Sequence, residues 1–117
     1  MYTQRANGQF TVEVEGDYHC GPNHDTPKTF AFEVELTYCD ECLDERGFLL
    51  DNLTFQRYFD SIQVTDLSCE RLVRKCAEYF CKLAGERFFR CVVAIWAIPN
   101  AAKIVFEVEN KVKGATV

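Results

Sequence analysis

The sequence predicts an α+β domain in which two helices pack on one face of an antiparallel four-stranded sheet. Three observations predict it. Two segments in the first third alternate apolar and polar residues with the period of a strand. The middle third carries two stripes of helical period, each with start residues. The last third returns to β-branched and aromatic residues, interrupted by a Pro-Asn turn. The order strand-strand-helix-helix-strand-strand sets a helix pair between two hairpins. Gathering the helices on one sheet face is the layered way to bury both apolar surfaces.

In order along the chain, Phe10 to Glu15 forms the first strand, with Phe10, Val12 and Val14 inward and Thr11, Glu13 and Glu15 outward. Phe30 to Thr37 repeats the pattern with Phe32, Val34 and Leu36 inward. Asn52 is positioned to cap a helix from Leu53 to Ile62, whose stripe is Leu53, Phe55 or Gln56, Phe59 and Ile62. Ser68 caps a second helix in which Leu72, Val73, Cys76, Tyr79, Phe80 and Leu83 share a face. Glu70 lies in its positive first turn and Gly85 supplies the stop. Phe88 to Ile98 is the third strand, Pro99-Asn100 the turn, and Ala102 to Val108 the fourth; residues 109–117 read as a frayed tail. The third strand interleaves Phe89, Cys91, Val93 and Ile95 with Phe88, Val92, Ala94 and Trp96, so both faces of the sheet are expected to carry apolar side chains. A small sheet with two such faces or with open edges finds a partner.

With 117 residues and no Pro/Gly/Ser linker, the chain is a single domain over 1–117, large enough for a core without staples. Its net charge of −5, from 18 acidic and 13 basic residues, disfavours a nucleic-acid surface, which needs clustered cations. The longest apolar run, Cys91 to Ile98, falls far below the roughly 20 residues of a membrane helix. No membrane partner is expected. MYTQRANGQF has no apolar segment with a small-residue cleavage site, and seven cysteines is an odd number for a closed disulfide framework. These features predict reduced thiols in the cytoplasm.

The segment HCGPNH, His19 to His24, holds both histidines of the chain beside Cys20. By count, the C-x-x-C pair Cys39 and Cys42 could be completed to a four-ligand zinc site from among His19, Cys20 and His24. The strand between the two clusters spans about 26 Å, however, and sets them at opposite ends. A thiol with a base is the other chemistry. His19 points away from Cys20 in extended chain, whereas Gly21-Pro22 can turn His24 back toward it. A polar turn between two strands accounts for the same residues and is preferred on composition. Cys69, Cys76 and Cys81 read as helix-packing residues, and Trp96 as a core or interface anchor.

The element order is that of the tunnelling fold, or T-fold, and local text resembles its 6-pyruvoyl-tetrahydropterin synthase and 6-carboxy-tetrahydropterin synthase branch. CGPNH resembles the family's cysteine, three residues, then H-G-H. FAFEVEL resembles its second strand, and ERGFLLDNLTFQRYF its G-x-V-x-D stretch and first helix. SCERLVRKCAEYF resembles the helix written P-T-x-E-x-L-A, and IWAIPNAAKIVF the closing W-E-T-P hairpin. The likeness runs through most of the chain in order.

That resemblance implies zinc on three histidines, a cysteine acting as acid or base, an Asp-His pair, a glutamate anchoring the pterin ring, and a homo-oligomeric ring built edge to edge. Carried over by position, Cys20 is the catalytic cysteine, and His24, with His19 beside it, is the residual metal ligand. Trp96 and Ala97 occupy the ring-anchoring position. Thr26 replaces the second histidine, DSIQVTDLS lacks the Asp-His histidine, and Ala97 replaces the glutamate. One such loss typically costs ~10²-fold in rate, so several together imply background activity. The expectation is therefore a pterin-synthase-like protein without the family's turnover, in which Cys20 is a catalytic remnant. No cofactor is expected, zinc being the one metal left open. A structural role, or binding of a pterin- or purine-like ring at a subunit interface, remains for it. Two alternatives stand beside this: an active zinc lyase with unusual ligands, and a metal or redox protein centred on Cys39 and Cys42.

Overall fold

The computed structural model describes residues 1–14, 28–38, 49–98 and 102–110. Strand β1 spans Tyr2–Val14 and β2 Lys28–Tyr38. Helix α1 spans Leu53–Asp60, β3 Val64–Thr65, α2 Cys69–Ala84, β4 Phe88–Ala97 and β5 Ile104–Glu109. The sheet has five strands in the order β3-β1-β2-β4-β5. This corrects the expected four. The added strand has only two residues and pairs parallel to β1, Glu13 with Val64 and Val14 with Thr65, so the sheet is not wholly antiparallel. All other pairings are antiparallel.

β1 begins at Tyr2, eight residues ahead of the expected start at Phe10. The even residues of β1 face the helices, and two of them, Gln4 and Gly8, break the apolar alternation for local reasons. Gln4 accepts a hydrogen bond from the buried Tyr38 hydroxyl at 2.8 Å and donates to the Leu50 carbonyl at 2.9 Å. Gly8 leaves room for the Phe32 ring and the Gln56 side chain, which crowd its Cα.

The core lies between the sheet and the two helices. Phe10, Phe30, Phe32, Val34 and Leu36 from the sheet meet Phe55 and Phe59 of α1 and Leu72, Val73, Cys76, Ala77 and Phe80 of α2. The Phe32 and Phe59 rings stack at 3.9 Å between centroids, and each such fully buried side chain contributes about 1.5–3 kcal/mol. Asn52 holds the N-cap position of α1 as expected, but its side chain makes no capping hydrogen bond. The Asp51 carboxylate accepts from the Leu53 N–H instead, while Asn52 Oδ1 is engaged by Gln4. Ser68 caps α2 as expected, its hydroxyl accepting from Arg71 N–H, and Gly85 ends the helix at φ 63°, where a side chain would be strained. Tyr79 and Leu83 flank the α2 stripe and remain 41% and 42% exposed; the smaller Ala77 and Ala84 take the buried places.

The last strand starts at Ile104, not Ala102, and includes Glu109. Asn110 continues the pairing, its N–H donating to the Phe89 carbonyl at 2.9 Å. Residues 111–117 of the expected tail lie outside the described residues.

Candidate functional site: the open face of the sheet

The face of the sheet away from the helices is built in cross-strand rows, because side chains alternate along each strand and the register aligns them. Arg5, Glu35, Val92 and Glu107 form one row, and Asn7, Glu33, Ala94 and Val105 the next. Gln9, Ala31 and Trp96 form a third. A shallow depression of about 320 Å³ lies over the first two rows, lined by Arg5, Asn7, Glu33, Glu35, Val92 and Ala94. Its floor is small and apolar and its rim carries the charge.

Both faces of the sheet carry apolar side chains of β4, as its interleaved sequence predicts. Cys91, Val93 and Ile95 all turn into the core. On the open side Ala31, Val92, Ala94, Trp96 and Val105 supply apolar surface among charged and polar neighbours.

Among the described residues, three ion pairs cross this face. Arg5 Nε meets Glu35 Oε2 at 3.0 Å, Arg90 Nε meets Glu107 Oε1 at 2.6 Å, and Lys103 Nζ meets Glu33 Oε1 at 3.2 Å. The same Lys103 ammonium lies 4.4 Å above the Trp96 ring, a cation–π contact. The Arg90 guanidinium holds the Glu107 carboxyl below its usual range, and Glu107 in turn raises Arg90. Exposed pairs of this kind add little to stability, so displacing one by a ligand costs little. Chemically, the face offers carboxylates that accept from ring N–H groups, a guanidinium and an ammonium for anionic groups, and one aromatic plane.

Among the described residues, stretches of both outer edges of the sheet lack a pairing strand. Asn110 N–H bonds the Phe89 carbonyl, and the pairing alternates from there, so Cys91–Val108, Val93–Phe106 and Ile95–Ile104 exchange the β4–β5 hydrogen bonds. The N–H and C=O groups of Val105, Glu107 and Glu109 therefore point outward. On the opposite edge, Gln56 binds the Gln9 carbonyl and Glu13 N–H binds the Gln63 carbonyl. Thr3, Arg5 and Asn7 project their backbone groups on that same side. Among the described residues, no strand pairs with either of these stretches.

The structure separates the two residues expected at the ring-anchoring position. Trp96 stands on the open face, whereas Ala97 turns to the other side and packs against the core beside Phe30. Cys20, His19, His24, Cys39 and Cys42 lie outside the described residues. Among the described residues, no group of three or more His, Cys, Asp or Glu side chains is placed to hold a metal ion. The chain's own donor set does not fit the family's zinc site, since two histidines cannot supply three. Sequence reasoning missed Arg5, Asn7, Glu33, Glu35 and Lys103. The signal for Glu33 and Glu35 was their alternation in β2; Arg5 and Asn7 were hidden because β1 was read as starting after them.

No protein-family model matches the chain. None of the curated proteins matches it either. Among solved structures, the chain is similar to the archaeosine synthase QueF-Like in its apo form, with a TM-score of 0.66 and 17% identity over 92% of this chain and 94% of that one. A likeness at that identity shows the fold alone: a mixed α+β, tunnelling-type architecture with a five-stranded sheet and two helices. No helix is long and apolar enough to cross a membrane among the described residues.

Proposed function

We propose that this protein is a 6-pyruvoyl-tetrahydropterin-synthase-like subunit of a homo-oligomeric ring. It binds a pterin- or purine-like heterocycle at a subunit interface and lacks the family's zinc-dependent lyase reaction. The observation that carries this is the pair of open edges on a sheet whose unpacked face is polar. Outward backbone groups at Val105, Glu107 and Glu109 match in kind those at Thr3, Arg5 and Asn7, and joining such edges satisfies both. The face so enclosed carries Glu33, Glu35 and Trp96, groups suited to ring N–H donors and to stacking. Loss of turnover is supported by the chain itself, with two histidines in all and alanine at position 97. The reduced cytoplasm is the compartment this function fits.

Trp96 is the single tryptophan, so its fluorescence reports on the open face directly. Titration with 7,8-dihydroneopterin and with guanine is expected to quench it saturably, while 7,8-dihydroneopterin triphosphate with added zinc gives no product. Zinc-dependent turnover abolished by Cys20→Ala would overturn the proposal in favour of an active lyase. Bound zinc that disappears in Cys39→Ala would instead support a metal protein centred on Cys39 and Cys42.

A second function is favoured by one specific observation, that the structural neighbour is itself a synthase. Here Cys20 would be a working thiol with His24 as its base. Stoichiometric labelling of Cys20 by iodoacetamide near neutral pH, slowed in His24→Ala, would support it. Labelling no faster than free cysteine would remove it.

A further inference from the structure

β1, β2, β4 and β5 alternate in direction, so β5 runs opposite to β1. Two copies set side by side, open faces turned the same way, therefore meet β5 against β1 as an antiparallel pair. In both edge stretches the residues with outward backbone groups also carry open-face side chains, so the cross-strand rows continue from one copy into the next. Charge and size then choose the register. The β1 stretch holds the cation Arg5, and the β5 stretch the carboxylates Glu107 and Glu109. Setting Glu107 opposite Arg5 also sets Val105 opposite Asn7 and Glu109 opposite Thr3, and each such pair exchanges two backbone hydrogen bonds. On the helix side the same register sets the half-buried Phe106 opposite Ala6 and Ile104 opposite Gly8, large against small. A shift of two residues one way puts Val105 opposite Gln9, whose carbonyl already accepts from Gln56 Nε2 at 2.9 Å. A shift the other way leaves Arg5 against Val105. Joining two β5 edges instead would crowd carboxylates together.

We propose that a second copy of this chain docks its β5 on β1 in this register, and that the partner's Glu107 and the partner's Val105 close the β1 side of the depression over the open face. This rests on the ring proposed above and adds which residues meet in it. Arg5 then lies between two carboxylates. Its Nε donates to Glu35 at 3.0 Å, and the terminal nitrogens of the guanidinium fork are donors of the kind a second carboxylate accepts from. Arg90, 2.6 Å from Glu107, holds that carboxylate in place at the β5 edge. Arg5 and Asn7 line the depression from its β1 side, so a ligand seated there touches two copies.

The test is sedimentation of the full chain over a dilution series, for wild type, Arg5→Glu, Glu107→Arg and an equimolar mixture of the two variants. Alone, each variant sets like charges opposite one another and should need ~10-fold or more higher concentration to assemble. In the mixture every contact between unlike copies again pairs opposite charges, so assembly returns to near the wild-type concentration. Variants that assemble as wild type does, or a mixture no better than its parts, would overturn the register and leave the ring standing; a monomeric wild type would remove both. A charge-preserving Arg5→Lys variant supplies a check that does not challenge folding. Positions 5 and 107 stand at opposite edges of one sheet, three strand spacings or about 14 Å apart, so a zero-length carbodiimide amide between them joins two copies only. The expected product is that amide, identified by mass spectrometry of the cross-linked dimer. Coupling of position 5 to Glu35 alone, in protein that sediments as an oligomer, would overturn the proposal.

Discussion

Gly8→Ala is the most demanding single-atom perturbation of the frame that carries the open face. Gly8 lies on the helix side of β1, opposite Phe32. A Cβ built there would stand 2.9 Å from the Phe32 ring and closer still to Gln56 Oε1. The ring has nowhere to go, being 1% exposed and stacked on Phe59 at 3.9 Å. Gln56 can swing away, but its amide donates to the Gln9 carbonyl and to Asp60 Oδ1, both at 2.9 Å. Overpacking of a tight site costs about 1–3 kcal/mol, and the lost bond to Gln9 about 1 kcal/mol. Replacing a strand glycine returns roughly 0.5–1 kcal/mol of chain entropy. The net is a destabilisation of about 2 kcal/mol, or roughly 10 °C in the melting temperature of a domain this size. Thermal unfolding followed by circular dichroism measures it, with Gln56→Ala as the second background, in which the penalty should shrink. A melting temperature unchanged or raised in Gly8→Ala would refute the close approach of β1 to α1.

Two further predictions concern the same frame. Ser68→Ala removes the hydroxyl that accepts from Arg71 N–H and should cost about 0.5–2 kcal/mol in urea unfolding, while Ser68→Asp should restore most of it. Stability should also fall between about pH 9 and 12. Burial pushes Cys76 from 9.0 up to about 12 and Tyr38 from 10.0 up to about 12, and raises the half-buried Tyr58 as well. In that window the folded chain keeps protons that the unfolded chain releases, so each fully buried group subtracts up to roughly 1.4 kcal/mol per pH unit, with Tyr58 contributing less. Chemical denaturation at stepped pH checks this; a stability that rises above pH 9 would contradict the burial of these groups.

Most of the architecture was legible in the sequence because it rests on periodicity. The alternation in β2 and the stripe of α2 each bury one face, and Ser68 and Gly85 mark ends that only those residue types suit. What escaped had no periodic trace. β3 is too short to show a pattern and is held by pairing with β1 at two residues and by the Glu13 bond to Gln63. The first half of β1 hid behind Gln4 and Gly8, whose identities answer to Tyr38, Leu50, Phe32 and Gln56, partners distant in sequence. The candidate face was missed for a related reason. Its carboxylates and cations look like ordinary solvated charges until the register sets Glu35 beside Arg5 and brings Lys103 onto Glu33 and Trp96.

The claim that this fold works as an edge-joined ring is tested most directly by sedimentation of wild type against Val105→Pro. Val105 is 56% exposed, and its N–H points away from β4, so proline there removes an outward donor without breaking a β4–β5 hydrogen bond. Wild type should sediment as a closed oligomer at micromolar concentration, and Val105→Pro as a folded monomer with its circular dichroism retained. A wild-type protein that sediments as a monomer would contradict the account, as would a Val105→Pro variant that keeps the full assembly.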